Sequence, residues 1–194
     1  MIAVGLQPMT TDKVLEYIGI IAGVTSVWFS RKEHILVYPV GLVNTIIYIY
    51  LSLKGSLFGE ACVNLYYTIM SIYGWYLWRK KDQQHHVILH IARSGKKDWI
   101  NQILFFLVCY AALFSGISFL ANYFSDAIPW ADAFASASAF TGMWLMARKK
   151  LENWYWWIVT NLASIPLYYV KGYRETAGYF IILLIMACFG LAEW

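Results

Sequence analysis

Three asparagines, Asn44, Asn64 and Asn161, stand in the middle of long apolar stretches, and aromatic and hydroxyl residues recur around them at helical spacing. Asn64, Tyr67, Thr68 and Ser71 follow an i, i+3, i+4, i+7 pattern; Trp157, Asn161, Ser164 and Tyr168 make a comparable stripe; Asn44 has Tyr48 one turn on, and Thr141 has Trp144. That spacing puts each set on one helix face. A partnerless amide in hydrocarbon is disfavoured by roughly 2–7 kcal/mol. Each Asn therefore implies a partner, either a ligand or an interhelical hydrogen bond worth about 1 kcal/mol. Aromatic faces attract a desolvated organic cation by about 0.5–2 kcal/mol, and an amide both donates and accepts. The chemistry these residues suit is reversible recognition of a flat, polar or cationic small molecule. The candidate binding residues are Asn44, Tyr48, Asn64, Tyr67, Thr68, Thr141, Trp144, Trp157, Asn161 and Tyr168.

Bond-making chemistry finds little support. There is no phosphate loop, no GxSxG and no paired carboxylates, and the acidic residues fall in loops or near the ends of apolar stretches. An intramembrane enzyme would need a nucleophile and base, or metal ligands, at depth. Cys62, Cys109 and Cys188 are unrelated in spacing and read as small buried hydrophobes. His85, His86 and His90 lie in the polar segment RKKDQQHHVILHIARSGKKD (79–98) without a Cys or an acidic cluster, so a solvated linker is the better reading than a metal site. No metal and no cofactor are expected. A structural or sensory membrane protein, which needs no site, is the alternative from another class.

The elements that must position these residues are membrane helices. Of the 194 residues 60% are hydrophobic, 19% aromatic and 13% charged, with a mean hydropathy of +0.53, which is the composition of an integral membrane protein. Nothing at the start resembles a cleavable signal. Seven stretches are long enough to span: Val14 to Phe29, Ile35 to Leu53, Leu57 to Trp78, Ile100 to Tyr123, Trp130 to Ala147, Trp154 to Val170 and Ala177 to Gly190. Arg31, Lys32, Tyr38, Asn44, Lys54 and Gly55 reappear as Arg148, Lys149, Tyr155, Asn161, Lys171 and Gly172, each 117 positions on. That is an internal repeat. Three spans are an odd number, so an unpaired fourth span restores orientation, and the fold expected is all-α: seven transmembrane helices as a parallel 3+1+3 bundle. Residues 1–78 and 128–194 are the repeats, with 79–127 the linker and fourth helix. Pro39 and Pro166 are expected to kink their spans by leaving the carbonyls of Ile35 and Leu162 unpaired. Tyr38 and Tyr155, related by the repeat, are candidate gate or interface residues.

Eleven of the fifteen basic residues fall after the first, third and fifth spans, while Lys13, Lys54, Lys171 and Arg174 fall on the other side. By the positive-inside rule the N-terminus is outside and the C-terminus cytoplasmic. The net charge of +4 is thus topological, and no nucleic-acid partner is implied. Carriers driven by protons or sodium use ionisable groups at membrane depth. None is evident, so uncoupled facilitated diffusion is the expected mechanism.

The segments YPVGLVNTIIYIYLSLKG (38–55), NLYYTIMSIYGWYLW (64–78), MWLMARKKLENWYWWIVTNLASIPLYYVKG (143–172) and GLAEW (190–194) resemble the PnuC-type vitamin transporters, which are akin in architecture to the SWEET sugar transporters. The resemblance covers essentially the whole chain. It implies a SWEET-like 3+1+3 fold, a homotrimer in contact with membrane lipid, and uptake of nicotinamide riboside across the bacterial inner membrane. A cytoplasmic kinase would trap the product by phosphorylation. Similar proteins carry thiamine, riboflavin or deoxynucleosides, so the resemblance leaves the vitamin open.

Overall fold

The computed structural model describes residues 11–55, 58–81, 88–120 and 127–194. They form seven helices: α1 (Thr11–Arg31), α2 (Val37–Lys54), α3 (Phe58–Arg79), α4 (Lys96–Leu120), α5 (Pro129–Ala147), α6 (Asn153–Val170) and α7 (Arg174–Glu193). His85 and His86, two of the three histidines of the segment read as a solvated linker, lie outside the described residues, as do Leu57 and Tyr123, which bounded two expected spans. Among the described residues no group of His, Cys, Asp and Glu could hold a metal ion.

Helix ends follow local chemistry. Asp12 in the first turn of α1 and Arg31 in its last turn complement the helix dipole. Pro129 opens α5, where its missing N–H costs nothing. Pro39 is similar. Because α2 begins at Val37, Pro39 lies in its first turn, and the Ile35 carbonyl accepts from the Tyr38 N–H (3.2 Å). The expected break at Pro39 is therefore absent, whereas Pro166 is inside α6. Three helices end in the same way. After α1, α5 and α6 the residues Glu33 (φ 54°), Lys149 (φ 50°) and Gly172 (φ 86°) are left-handed, and the following N–H groups of His34, Lys150 and Tyr173 return to the carbonyls of Phe29, Leu145 and Tyr168. These are Schellman caps. Glycine suits that conformation; at Glu33 and Lys149 a side chain adds strain of roughly 1–2 kcal/mol each.

The helices close into a ring. α1 packs on α2, α2 on α3, α3 on α5, α5 on α6, α6 on α7, and α7 returns to α1, while α4 lies outside against α5. Three helices before α4 and three after it give the 3+1+3 arrangement. α1, α2, α4 and α7 are long and apolar enough to cross a membrane by length and composition. α4 turns Ile100, Ile103, Leu104, Leu107 and Val108 outward, as a helix facing lipid does.

The repeat runs at 116 positions in three dimensions, not 117. Helices α1, α2 and α3 and their counterparts α5, α6 and α7 match at that offset at the end of α1, both ends of α2 and the start of α3. The N-cap residues agree closely, Leu36 (φ −62°, ψ −11°) with Glu152 (φ −64°, ψ −12°). Tyr38 lies over Gly74, where an added Cβ would overlap the ring, and Trp154 lies over Gly190, where it would stand 2.5 Å from the indole. Tyr38 therefore corresponds to Trp154, and Tyr155 is an exposed neighbour. The sequence match slips by one because Arg and Lys side chains reach the same place from adjacent positions. Lys54 is the last residue of α2 and Lys171 follows α6, yet Lys54 grips Asp12 (2.6 and 2.8 Å) and Lys171 grips Asp132 (2.6 and 2.8 Å) alike. Each pair ties the second helix of a repeat to the start of its first.

Candidate functional site

The one-residue slip separates Asn44 from Asn161 by about 100° of helix rotation. Asn44 donates through Nδ2 to the Gly19 carbonyl of α1 (2.7 Å), an interhelical bond. Asn161 is 3% exposed, and among the described residues its amide finds no hydrogen-bond partner, yet its polar atoms are not sealed from open space. It shares a face of α6 with Trp157 one turn before it and Tyr168 two turns after it.

Around Trp157 the ring brings aromatic side chains from three helices together. Tyr66 of α3 stacks on Phe140 of α5 (3.9 Å between centroids) and donates its hydroxyl to the Phe140 carbonyl (3.0 Å). Tyr67 is set edge-on to Phe140 (6.1 Å) and tilted toward Trp157 (6.4 Å). Two glycines make room. A Cβ on Gly142 would meet the Trp157 indole at 3.2 Å, and one on Gly23 would fall 2.8 Å from the Tyr179 hydroxyl and 2.9 Å from Asn44 Nδ2. At the position of α2 matching Trp157 stands Gly41, which faces Ser26. A pseudo-symmetric frame thus carries asymmetric side chains, with the aromatic cluster supplied by α3, α5 and α6.

The ten residues named from sequence divide accordingly. Tyr67 meets Trp157 (6.4 Å), Tyr168 stacks on Phe180 of α7 (5.2 Å), Asn44 and Tyr48 face Gly23 and Gly19 of α1, and Asn161 is buried on the Trp157 face of α6. The others make helix contacts. Asn64 donates to the Glu60 carbonyl in its own helix (2.9 Å), and Thr141 to that of Ala137 (2.8 Å). Thr68 Oγ1 lies 2.9 Å from both Thr45 Oγ1 and the Asn64 carbonyl, joining α3 to α2. Trp144 turns away from the centre: it stacks on Phe105 of α4 (5.0 Å) beneath Arg148 (5.1 Å). Tyr66, Phe140 and Tyr179 escaped the sequence reading. Phe140 follows a run of small residues and Tyr179 stands in an otherwise apolar helix, so neither had a polar stripe to signal it.

Cavities of about 450 and 370 Å³ open elsewhere, at the end of the ring where the basic residues gather. The larger is lined by Arg93, Leu151, Tyr155 and Trp194 and the smaller by Arg31, Lys32, Glu33 and Glu193. Neither touches the ten residues. In the ring helices the basic side chains stand in the first or last turn, so among the described residues no cation stands at mid-helix.

A closed ring of apolar helices carrying amide and aromatic side chains, together with the family it matches, defines the class: a multi-pass membrane transporter. The chain belongs to the nicotinamide mononucleotide transporter family, which it matches over residues 13–194. It is 25% identical over 201 residues to the nicotinamide riboside transporter PnuC of Escherichia coli, covering 93% of this chain and 84% of the relative. A PnuC of Neisseria mucosa is 26% identical over 194 residues, covering 94% and 72%. The riboflavin/roseoflavin transporter RibM of Streptomyces davaonensis is 22% identical over 183 residues, covering 92% and 83%. The crystal structure of the vitamin B3 transporter PnuC has the same fold, with a TM-score of 0.74 and 23% identity over 94% of this chain and 81% of that one.

Proposed function

We propose that this protein takes up nicotinamide riboside across the bacterial inner membrane by facilitated diffusion, and that a cytoplasmic kinase traps the product. The observation that carries the reading is the buried amide of Asn161, without a hydrogen-bond partner among the described residues, one turn from Trp157, which Tyr67 meets. A pyridinium ring suits the aromatic wall through cation–π attraction, and its carboxamide and ribose hydroxyls suit Asn161 and the phenols. The PnuC relatives support the substrate. The absence of basic side chains from the centre favours the riboside over its phosphate, since a desolvated dianion would lack a partner. The basic end is taken as cytoplasmic and the N-terminus as external, and the outward row on α4 suits lipid or the subunits of a homotrimer.

Calorimetry on purified protein tests this. Binding of nicotinamide riboside, with the mononucleotide far weaker, is the expected result; comparable affinities for the two would contradict the centre described. The likeness to RibM favours a second reading, a neutral flavin in the same place. Tight binding of riboflavin or thiamine with none of the riboside would leave the site standing and change the substrate.

A further inference from the structure

We propose that Glu33 and Lys149 are the gate pair of the transport cycle at the basic end. Under a twofold relation a residue meets its own counterpart only near the axis. Glu33 and Lys149 are counterparts at the structural offset of 116, and their side chains form an ion pair across the two repeats. Ser30 and Met146, also 116 apart, meet one turn deeper, with the Ser30 hydroxyl donating to Met146 Sδ (3.2 Å). The ends of α1 and α5 are thus joined on the axis of the ring, across the path a substrate from the centre would take.

Three further observations separate this pair from an ordinary surface bridge. Both residues occupy left-handed positions where glycine is the relaxed choice, and observed strain of that kind points to a function for the side chains it carries. The Lys149 side chain is only 6% exposed and lies 4.5 Å from the Trp78 ring, an aromatic perch for an ammonium whose carboxylate departs. Its backbone is held firmly: Ala92 N–H donates to the Lys149 carbonyl (3.0 Å), and Leu151 N–H to that of Ala92 (3.1 Å). By contrast, Lys54 with Asp12 and Lys171 with Asp132 each join helices of one repeat. Rocking the halves leaves those two pairs intact and must part Glu33 from Lys149. The proposal rests on the carrier reading but not on the identity of the substrate.

The test places a reporter behind the pair, Met143→Cys in a background without the three native cysteines, and follows labelling by a membrane-impermeant maleimide from the basic side in proteoliposomes. Glu33→Gly and Lys149→Gly keep the backbone conformation and remove one charge, so they stay folded while labelling at least tenfold faster than the parent. The charge swap Glu33→Lys with Lys149→Glu returns labelling toward the parental rate. Parental labelling rates in both monodisperse glycine variants would overturn the proposal, as would a folded swap that labels as fast as either. The readout needs no ligand, so failure of the nicotinamide riboside assignment leaves it unaffected.

Discussion

Asn44 and Asn161 look equivalent in sequence and do different things in the molecule. Asn44 joins α2 to α1 through the Gly19 carbonyl, while the buried Asn161 amide has no hydrogen-bond partner among the described residues. Leucine is a helix former of similar size, so the two replacements should separate. Asn161→Leu should weaken binding by roughly 1–3 kcal/mol, tens-fold in affinity, and leave detergent stability near the parental value. Asn44→Leu should lower stability by about 1 kcal/mol. Titration calorimetry beside thermal unfolding measures both, and an Asn161 variant that binds normally but melts early would remove that residue from the site.

At the scale of elements, aromatic rings seated on glycines fix the packing within each repeat. Gly190→Ala would push a methyl to 2.5 Å from the rigid, buried indole of Trp154, and overpacking of this kind destabilises by about 1–3 kcal/mol. The same change at Gly178, where nothing lies within 4 Å, is the control and should be neutral or stabilising. The segment after α3, expected to be a solvated linker, proves to be pinned where it is described. Ser94 donates through N–H and hydroxyl to the Glu152 carboxylate (2.6–3.0 Å), and Lys150 bridges to Asp98 (2.9 Å). The hydrogen bond from Lys150 holds Asp98 below the usual carboxylate range. A lowered carboxylate pKa stabilises the fold above its unfolded value, about 3.9, and the benefit is lost as pH falls through the folded value. The stability difference between parent and Lys150→Met should therefore be constant from pH 7 to about pH 5 and shrink below about pH 4; growth of the difference on acidification would refute the assignment.

For the whole molecule, the ring sets the expectations for transport. Its acidic and basic groups are paired near the helix ends, as with Asp12 and Lys54, Asp132 and Lys171, and Arg31 and Glu193. Among the described residues nothing of that kind occupies the Trp157 to Asn161 level of α6. Proteoliposomes should then equilibrate labelled nicotinamide riboside without a proton or sodium gradient, and accumulate it only when a kinase and ATP are enclosed. Accumulation driven by an imposed gradient alone would exclude facilitated diffusion.

Composition and apolar run length determined the membrane class, the seven helices and their approximate ends, because burying some twenty apolar residues per span leaves few other solutions. The doubling of three spans about an unpaired fourth was equally legible, and helical spacing alone puts Trp157, Asn161 and Tyr168 on one face. Tertiary structure decided the register of the repeat, for long basic side chains conceal a one-residue slip that helix caps and glycine contacts do not. It turned Trp144 toward α4 and gave Asn64, Thr68 and Thr141 local partners, because a polar stripe marks a buried face without saying what it is buried against. Tyr179, Phe140 and the meeting of Glu33 with Lys149 depend on the closure of six helices into a ring, a contact between distant segments that no local pattern records.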